Sequence, residues 1–306
     1  MNIIKNKWIF LGFSSLLVIA SIYGLFVFGL QRGVDYTGGT LWQIQFSPVA
    51  TSTAAFVAPT RSGILDFLKD KGVTDAAVTE QEGTGSYIIK MKELTEVQHQ
   101  EFTKQLSAKF GAFSDLSFES IGATIGAELT RKGLWAFAIT LLAIALYVAY
   151  AFRKVSQPVS SWKYALITLI TLFHDAIIPV GLFSFLGYFR GVEIDINFIV
   201  AILVVVGFSV HDTIVVFDRI RENLRISNGK EEFGALVNRS INETFARSVN
   251  TSLTLIIVLV TMYLLGALTL QWFILTILVG VMAGTYSSIF VASPLLVVWQ
   301  AGKRKS

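Results

Sequence analysis

Cysteine is absent from the 306 residues. Disulfides, thiolate chemistry and cysteine-bound zinc are therefore excluded, and cysteine usage leaves the redox compartment open. Charge is scarce: 15% of residues are Asp, Glu, Lys or Arg, against about 25% in an average soluble domain. Histidine occurs three times, as His99, His174 and His211. No Gly-x-Ser-x-Gly elbow or HExxH spacing is present, which argues against a hydrolase of either design. The net charge of +4 is small, suiting basic residues that flank membrane spans rather than a nucleic-acid surface.

What fills the chain is apolar residues, at 53% with a mean hydropathy of +0.62. A helix needs about 20 apolar residues to cross the bilayer core. Six stretches qualify: 8–30, 134–152, 164–186, 196–217, 253–270 and 272–298. The first is too long for an ordinary signal core and is read as an uncleaved anchor. Lys5 and Lys7 precede the first span; Arg153, Lys154 and Lys163 lie between the second and third; Arg219, Arg221, Arg225, Lys230 and Arg239 lie between the fourth and fifth; Lys303, Arg304 and Lys305 end the chain. All fall on one side if both termini share it. The positive-inside rule makes that side cytoplasmic.

The polar segment 31–132 then lies outside. Residues 40–46 alternate as a strand, 62–71 form an amphipathic helix, and 76–81 and 87–92 are strands joined at Gly83-Thr-Gly85. Thr95 and Gln98 have capping-box spacing for a helix that ends at Gly111, and 116–121 is a last strand. The order βαββαβ is that of a ferredoxin-like unit. Residues 47–60 read as a flexible insertion.

Two His-Asp pairs stand in successive spans, His174-Asp175 and His211-Asp212. Acids inside a membrane are costly and mark ion, proton or substrate paths. Asp175 lies about 11 residues from the cytoplasmic end of its span, roughly 16 Å deep, and Asp212 about five residues, roughly 8 Å deep. A proton path is one reading, and polar bonding between helices is another. A metal site is disfavoured, because adjacent side chains point about 100° apart around a helix. Arg247 sits in a polar block, Asn242 to Ser252, at the start of the fifth span. It is placed to pair with Asp212 or to snorkel to the headgroups. Asp218, Arg219, Arg221, Glu222 and Asn223 continue as a charged helix, whose face is expected to be largely solvated. Gly280 and Gly284 have small-xxx-small spacing for close helix packing.

Four ordered blocks resemble the SecD/SecF family, and within it the SecF type. They are Gly33-Val-Asp35-Tyr-Thr-Gly38-Gly39, His211-Asp-Thr-Ile-Val-Val-Phe-Asp218-Arg219-Ile-Arg221-Glu-Asn223, Asn242-Glu-Thr-Phe-Ala-Arg247-Ser248 with Thr251-Ser252 after it, and Gly284-Thr-Tyr-Ser-Ser-Ile-Phe-Val-Ala-Ser-Pro294. The family pattern often has Asn at the position of His211 and Thr at that of Ser248. The resemblance implies half of a twelve-helix assembly of the RND superfamily, in the bacterial inner membrane, with SecD as the other half. It implies work with the SecYEG translocon and YajC on transient preprotein substrates, driven by the proton-motive force. No cofactor, metal or nucleic acid is implied. Asp212 and Arg247 match the family's intramembrane acid and arginine; His174, Asp175 and His211 are further candidates for proton coupling. The alternative is half of another RND-type proton-coupled exporter of lipids or small molecules.

Overall fold

The computed structural model describes residues 2–46, 59–81, 85–153, 159–227, 230–267 and 270–302. The Gly83-Thr84 part of the expected turn, nearly all of the 47–60 insertion, Lys154 and the basic tail lie outside them. The chain divides into two compact units, Met1–Gln31 with Gly133–Ser306, and Arg32–Lys132.

The smaller unit holds a short helix α2 (Val34–Thr37), then β1 (Gly39–Phe46), α3 (Arg61–Asp70), β2 (Ala77–Gln81), β3 (Ser86–Met91), α4 (Glu96–Phe110) and β4 (Phe113–Ile121). The antiparallel sheet has the order β2-β3-β1-β4, the ferredoxin-like arrangement. Period-two alternation puts Trp42, Ile44 and Phe46 of β1 on the helix-covered face. There they join Ile64, Phe67 and Leu68 of α3 and Leu106 of α4. The capping box forms: Thr95 Oγ1 accepts from the Gln98 amide, and Gln98 Oε1 accepts from the Thr95 amide at 2.9 Å. β4 starts three residues earlier than its alternation suggests. A register shift opposite Gln43 and Ile44, where β4 passes over Leu116, lets Phe113, Ser114 and Asp115 keep pairing.

The Gly-Gly motif makes a tight turn. Gly38 and Gly39 have φ of +76° and +135°, values that disfavour a side chain. A Cβ on Gly38 would lie 2.6 Å from the Ala123 Cα. Asp35 is buried in α2 just before this turn, and Gly33 is the residue that precedes the helix.

The larger unit contains the helices long and apolar enough to cross a membrane, six among the described residues. They are α1 (Lys7–Phe28), α5 (Ala123–Ala151, which begins in the smaller unit), α6 (Ser161–Arg190), α7 (Ile196–Ser227), α8 (Phe233–Leu265), and α9 (Gln271–Ser287) continued by a π-helical turn (Ser288–Ala292) and α10 (Ser293–Gly302). Small residues set the closest crossings. Gly24 and Gly181 bring α1 against α6, where Ser184 Oγ donates to the Gly24 carbonyl at 2.6 Å. Gly280 and Gly284 bring α9 against α7, facing Val205 and Ser209.

Two expectations need correction here. The charged segment 218–224 is no separate helix; it continues α7 without a break. Nor does the fifth span's helix begin near Ile241, where its polar block was expected to open it. α8 starts at Phe233, with Glu232 accepting from the Gly234 and Ala235 amides. Hydropathy locates the bilayer part of a helix and is silent about turns that project beyond it.

Candidate functional site

Asp175 is fully buried on α6. Its Oδ2 accepts hydrogen bonds from Ser209 on α7 and, at 2.7 Å, from Ser287 on α9. His174 Nδ1 lies 2.8 Å from its Oδ1. The two side chains lean together across the 100° that separates adjacent positions on a helix. With Nδ1 engaged, His174 Nε2 is buried without a partner among the described residues. Pro179 stands four residues on and lacks the N–H that would bond the Asp175 carbonyl. The π-helical turn begins immediately after Ser287. Such insertions recur at functional positions in helices.

Asp212 is 2% exposed on α7. Its Oδ2 accepts from Ser252 Oγ of α8 at 3.2 Å. Thr285 Oγ1 of α9 lies 2.7 Å from Ser252 Oγ and 2.8 Å from the Val281 carbonyl. Both carboxylates are therefore held by hydroxyls, and α9 supplies one hydroxyl toward each. Two further hydroxyls beside this site, Thr213 and Ser248, are buried without partners among the described residues.

The expected ion pair between Asp212 and Arg247 is not formed among the described residues. Arg247 precedes Ser252 by five residues, about 7.5 Å along the helix, and its side chain is exposed. It lines a cavity of about 360 Å³ with Val215, Asp218, Arg219, Glu222, Glu243 and Thr244. His211, beside the acid, is exposed.

The charged continuation of α7 is more engaged than a solvated face. Asp218 pairs with Arg221, whose guanidinium also lies over the Phe152 ring. Arg219 bonds Glu222 and, on α8, Glu243, each at 2.6 Å. Asn223 is buried and donates to Ser240 and Glu243. Among the described residues, no group of three His, Asp or Glu side chains is placed to hold a metal ion.

Sequence reading singled out Asp175, Asp212 and Arg247 but gave no role to Ser209, Ser252, Thr285 or Ser287. Their signal was present as hydroxyls within or beside apolar spans. Serine and threonine are common enough there that only tertiary contacts distinguish these four.

Comparisons with known proteins agree with this architecture. The family model for the SecD/SecF C-terminal region of protein export membrane proteins matches residues 101–302. The SecD/SecF GG motif matches residues 23–48. A SecF protein translocase subunit of Thermobaculum terrenum is 40% identical over 98% of this chain and 94% of its own length. That of Anaerolinea thermophila is 34% identical over 99% and 95%. The SecDF protein translocase subunit of Thermus thermophilus is 35% identical over 96% of this chain but 38% of its own length. The crystal structure of SecDF from that genus superposes with a TM-score of 0.80 at 31% identity, covering 98% of this chain. This chain spans 39% of the crystallised one. A multi-pass helical bundle, a ferredoxin-like α/β unit and full-length similarity to SecF subunits converge: this chain belongs to the SecD/SecF family of protein export membrane proteins, among its SecF translocase subunits.

Proposed function

We propose that this protein is the SecF-type half of a proton-coupled accessory complex of the Sec translocase. SecD supplies the other six spans, and SecYEG and YajC are its neighbours in the membrane. Both termini face the cytoplasm, where Lys5, Lys7, Arg153, Lys163 and the charged ends of α7 and α8 lie on one side of the bundle by the positive-inside rule. The α/β unit is then extracytoplasmic, on the side where the preprotein emerges. A large SecDF relative of which this chain resembles only part supports the two-half arrangement.

The observation that carries the proton role is the setting of Asp212. It is a buried acid in an apolar helix, held by the neutral hydroxyl of Ser252, with Arg247 about one and a half turns from that serine along α8. Taking up a proton costs such a carboxylate no ion pair. In the proposed cycle Asp212 alternates between this arrangement and one in which Arg247 swings from its polar cavity to the carboxylate. Neutralising or pairing one buried charge changes which helix packing is favoured, and the α/β unit moves with the helices. Asp175 and His174 form a deeper polar locus on the same bundle and His211 an exposed one.

Asp212→Asn and Arg247→Met test the reading in proteoliposomes containing the whole complex. Both are expected to abolish proton conductance and proton-driven secretion while leaving assembly intact. Undiminished secretion and conductance in either variant would end the proton role.

A further inference from the structure

Thr285 stands between two acceptors. Its Oγ1 is 2.7 Å from Ser252 Oγ and 2.8 Å from its own helix's Val281 carbonyl. A threonine hydroxyl has one proton and can satisfy only one of them at a time, while the carbonyl oxygen has a second lone pair beyond its helix bond. Ser252 Oγ in turn is 3.2 Å from Asp212 Oδ2. Three hydroxyl or carboxyl groups on three helices, α7, α8 and α9, therefore form one chain with an acceptor at its far end.

We propose that Ser252 and Thr285 are positioning residues that carry the protonation state of Asp212 to α9 by reversing the direction of this chain. The inference rests on the proposed role of Asp212. With Asp212 ionised, Thr285 donates to Ser252 and Ser252 donates to the carboxylate. When Asp212 takes a proton from water, its new O–H donates to Ser252. The serine hydroxyl turns to donate to Thr285, and the threonine hydroxyl turns to donate to the Val281 carbonyl. One proton is gained, two hydroxyls rotate, and no donor is stranded in either state. The heavy atoms stand within reach of both patterns. An acid meant only to stay charged has no use for the second.

The reversal gives α9 a different bond in each state. With the acid ionised, Thr285 ties α9 to α8. With the acid neutral, that proton serves α9's own backbone. Ser287 repeats the device two residues on, with its Oγ 2.7 Å from Asp175 Oδ2 and 3.2 Å from the Gly284 carbonyl. α9 thus holds one switchable hydroxyl against each buried acid. The titratable groups on the elements packed around α7 are Arg239, Glu243, Arg247 and Tyr263 on α8, Lys163, Tyr164, His174, Asp175, Tyr188 and Arg190 on α6, and Tyr286 on α9, with His211, Asp218, Arg219, Arg221, Glu222 and Arg225 on α7 itself. None of them lies within the Asp212–Ser252–Thr285 chain.

The test is infrared difference titration of the complex in proteoliposomes, with the Asp212 carboxyl band assigned by Asp212→Asn. Thr285→Val removes the hydroxyl at nearly constant shape. The carboxylate keeps its donor, Ser252, but in the neutral pattern the Ser252 proton loses its acceptor, so the proton affinity of Asp212 is expected to fall by roughly threefold to tenfold, the equivalent of one modest hydrogen bond. Thr285→Ser, which keeps the hydroxyl, is expected to restore the native midpoint. Ser252→Ala, which removes the donor to the ionised carboxylate itself, is expected to shift the midpoint the other way, raising the proton affinity. An unchanged midpoint in a folded Thr285→Val, or a shift that Thr285→Ser fails to reverse, overturns the hydroxyl chain alone and leaves the role of Asp212 standing. Absence of any Asp212 band across the titration overturns both.

Discussion

Gly284 of α9 faces Ser209 of α7 so closely that a Cβ on the glycine would lie 2.9 Å from the serine Cβ. That approach aligns Ser209 with Asp175, because Ser287, one turn from Gly284, reaches the same carboxylate oxygen. One crossing of two helices thus builds the polar cluster and excludes bulk from it.

Gly280, one turn earlier, makes the same crossing tighter. A Cβ there would overlap the Val205 side chain, which is β-branched and has little rotamer freedom. Gly280→Ala is therefore expected to destabilise the bundle by about 1–3 kcal/mol, the usual range for overpacking. Gly207→Ala is the control: it lies on α7 with nothing within 4 Å of a built Cβ, so its melting temperature in detergent should be no lower than the native one, with alanine's helix propensity favouring a small rise. Equal melting of all three proteins would show that α7 and α9 do not cross here.

The spacing of Gly280 and Gly284 was legible in the sequence, but the face they meet was not. Local signals survived well: the capping box at Thr95 and Gln98 needs only four residues, and the strands of the smaller unit need only alternation. The hydroxyl sets around the acids were invisible for a physical reason. Ser209 and Ser287 stand 34 and 112 residues from Asp175, and Ser252 stands 40 from Asp212. Nothing periodic marks such partners. Depth counting also brought Arg247 level with Asp212, because it started the helix near Ile241 and missed the turns from Phe233 onward.

Asp175 accepts from three groups, and its removal strands them. Asp175→Ala leaves the hydroxyls of Ser209 and Ser287 and the imidazole of His174 without their common acceptor. A loss of about 3–5 kcal/mol is expected, as for breaking a buried charged partnership. Asp175→Asn keeps one acceptor oxygen and should lose clearly less. Denaturant titration of the purified protein in mixed micelles measures both. Equal stability of the alanine and asparagine variants would contradict the acceptor role.

In the smaller unit, Asp115 of β4 holds two aromatic groups together. Trp42 Nε1 donates to its Oδ1 at 3.1 Å, and His99 Nε2 lies 2.8 Å from its Oδ2. His99 also stacks on Phe118 at 3.7 Å between ring centroids. Trp42 is fully buried, so its indole N–H has no access to water if Asp115 is lost. Asp115→Ala is expected to cost about 1–3 kcal/mol, the desolvation penalty of a stranded donor. Hydrogen exchange of β1 and β4 amides in the full chain should accelerate, with helices α6 and α9 unaffected. Unchanged exchange at Trp42 would refute the clasp.

The charged continuation of α7 separates two kinds of polar contact. Glu222 is exposed and pairs with Arg219 within one helix; such pairs contribute roughly 0–1 kcal/mol. Asn223 is 1% exposed and its amide spans to α8, donating to Ser240 Oγ at 2.9 Å and Glu243 Oε2 at 2.8 Å. Asn223→Leu keeps the branched shape of the side chain but removes the donor to Ser240 in a buried contact and one of the bonds to Glu243, which keeps Arg219. It should destabilise the α7–α8 pair by about 1–3 kcal/mol, whereas Glu222→Ala should change stability by less than about 0.5 kcal/mol. Limited proteolysis within the last turns of α7 and the first turns of α8 reads the difference directly, since loosening of one helix from the other lets those turns open locally. Faster cleavage of Asn223→Leu than of Glu222→Ala is the expected result. Equal cleavage rates would mean that Asn223 does not join the two helices, and that the exposed pairs alone hold this end of the bundle.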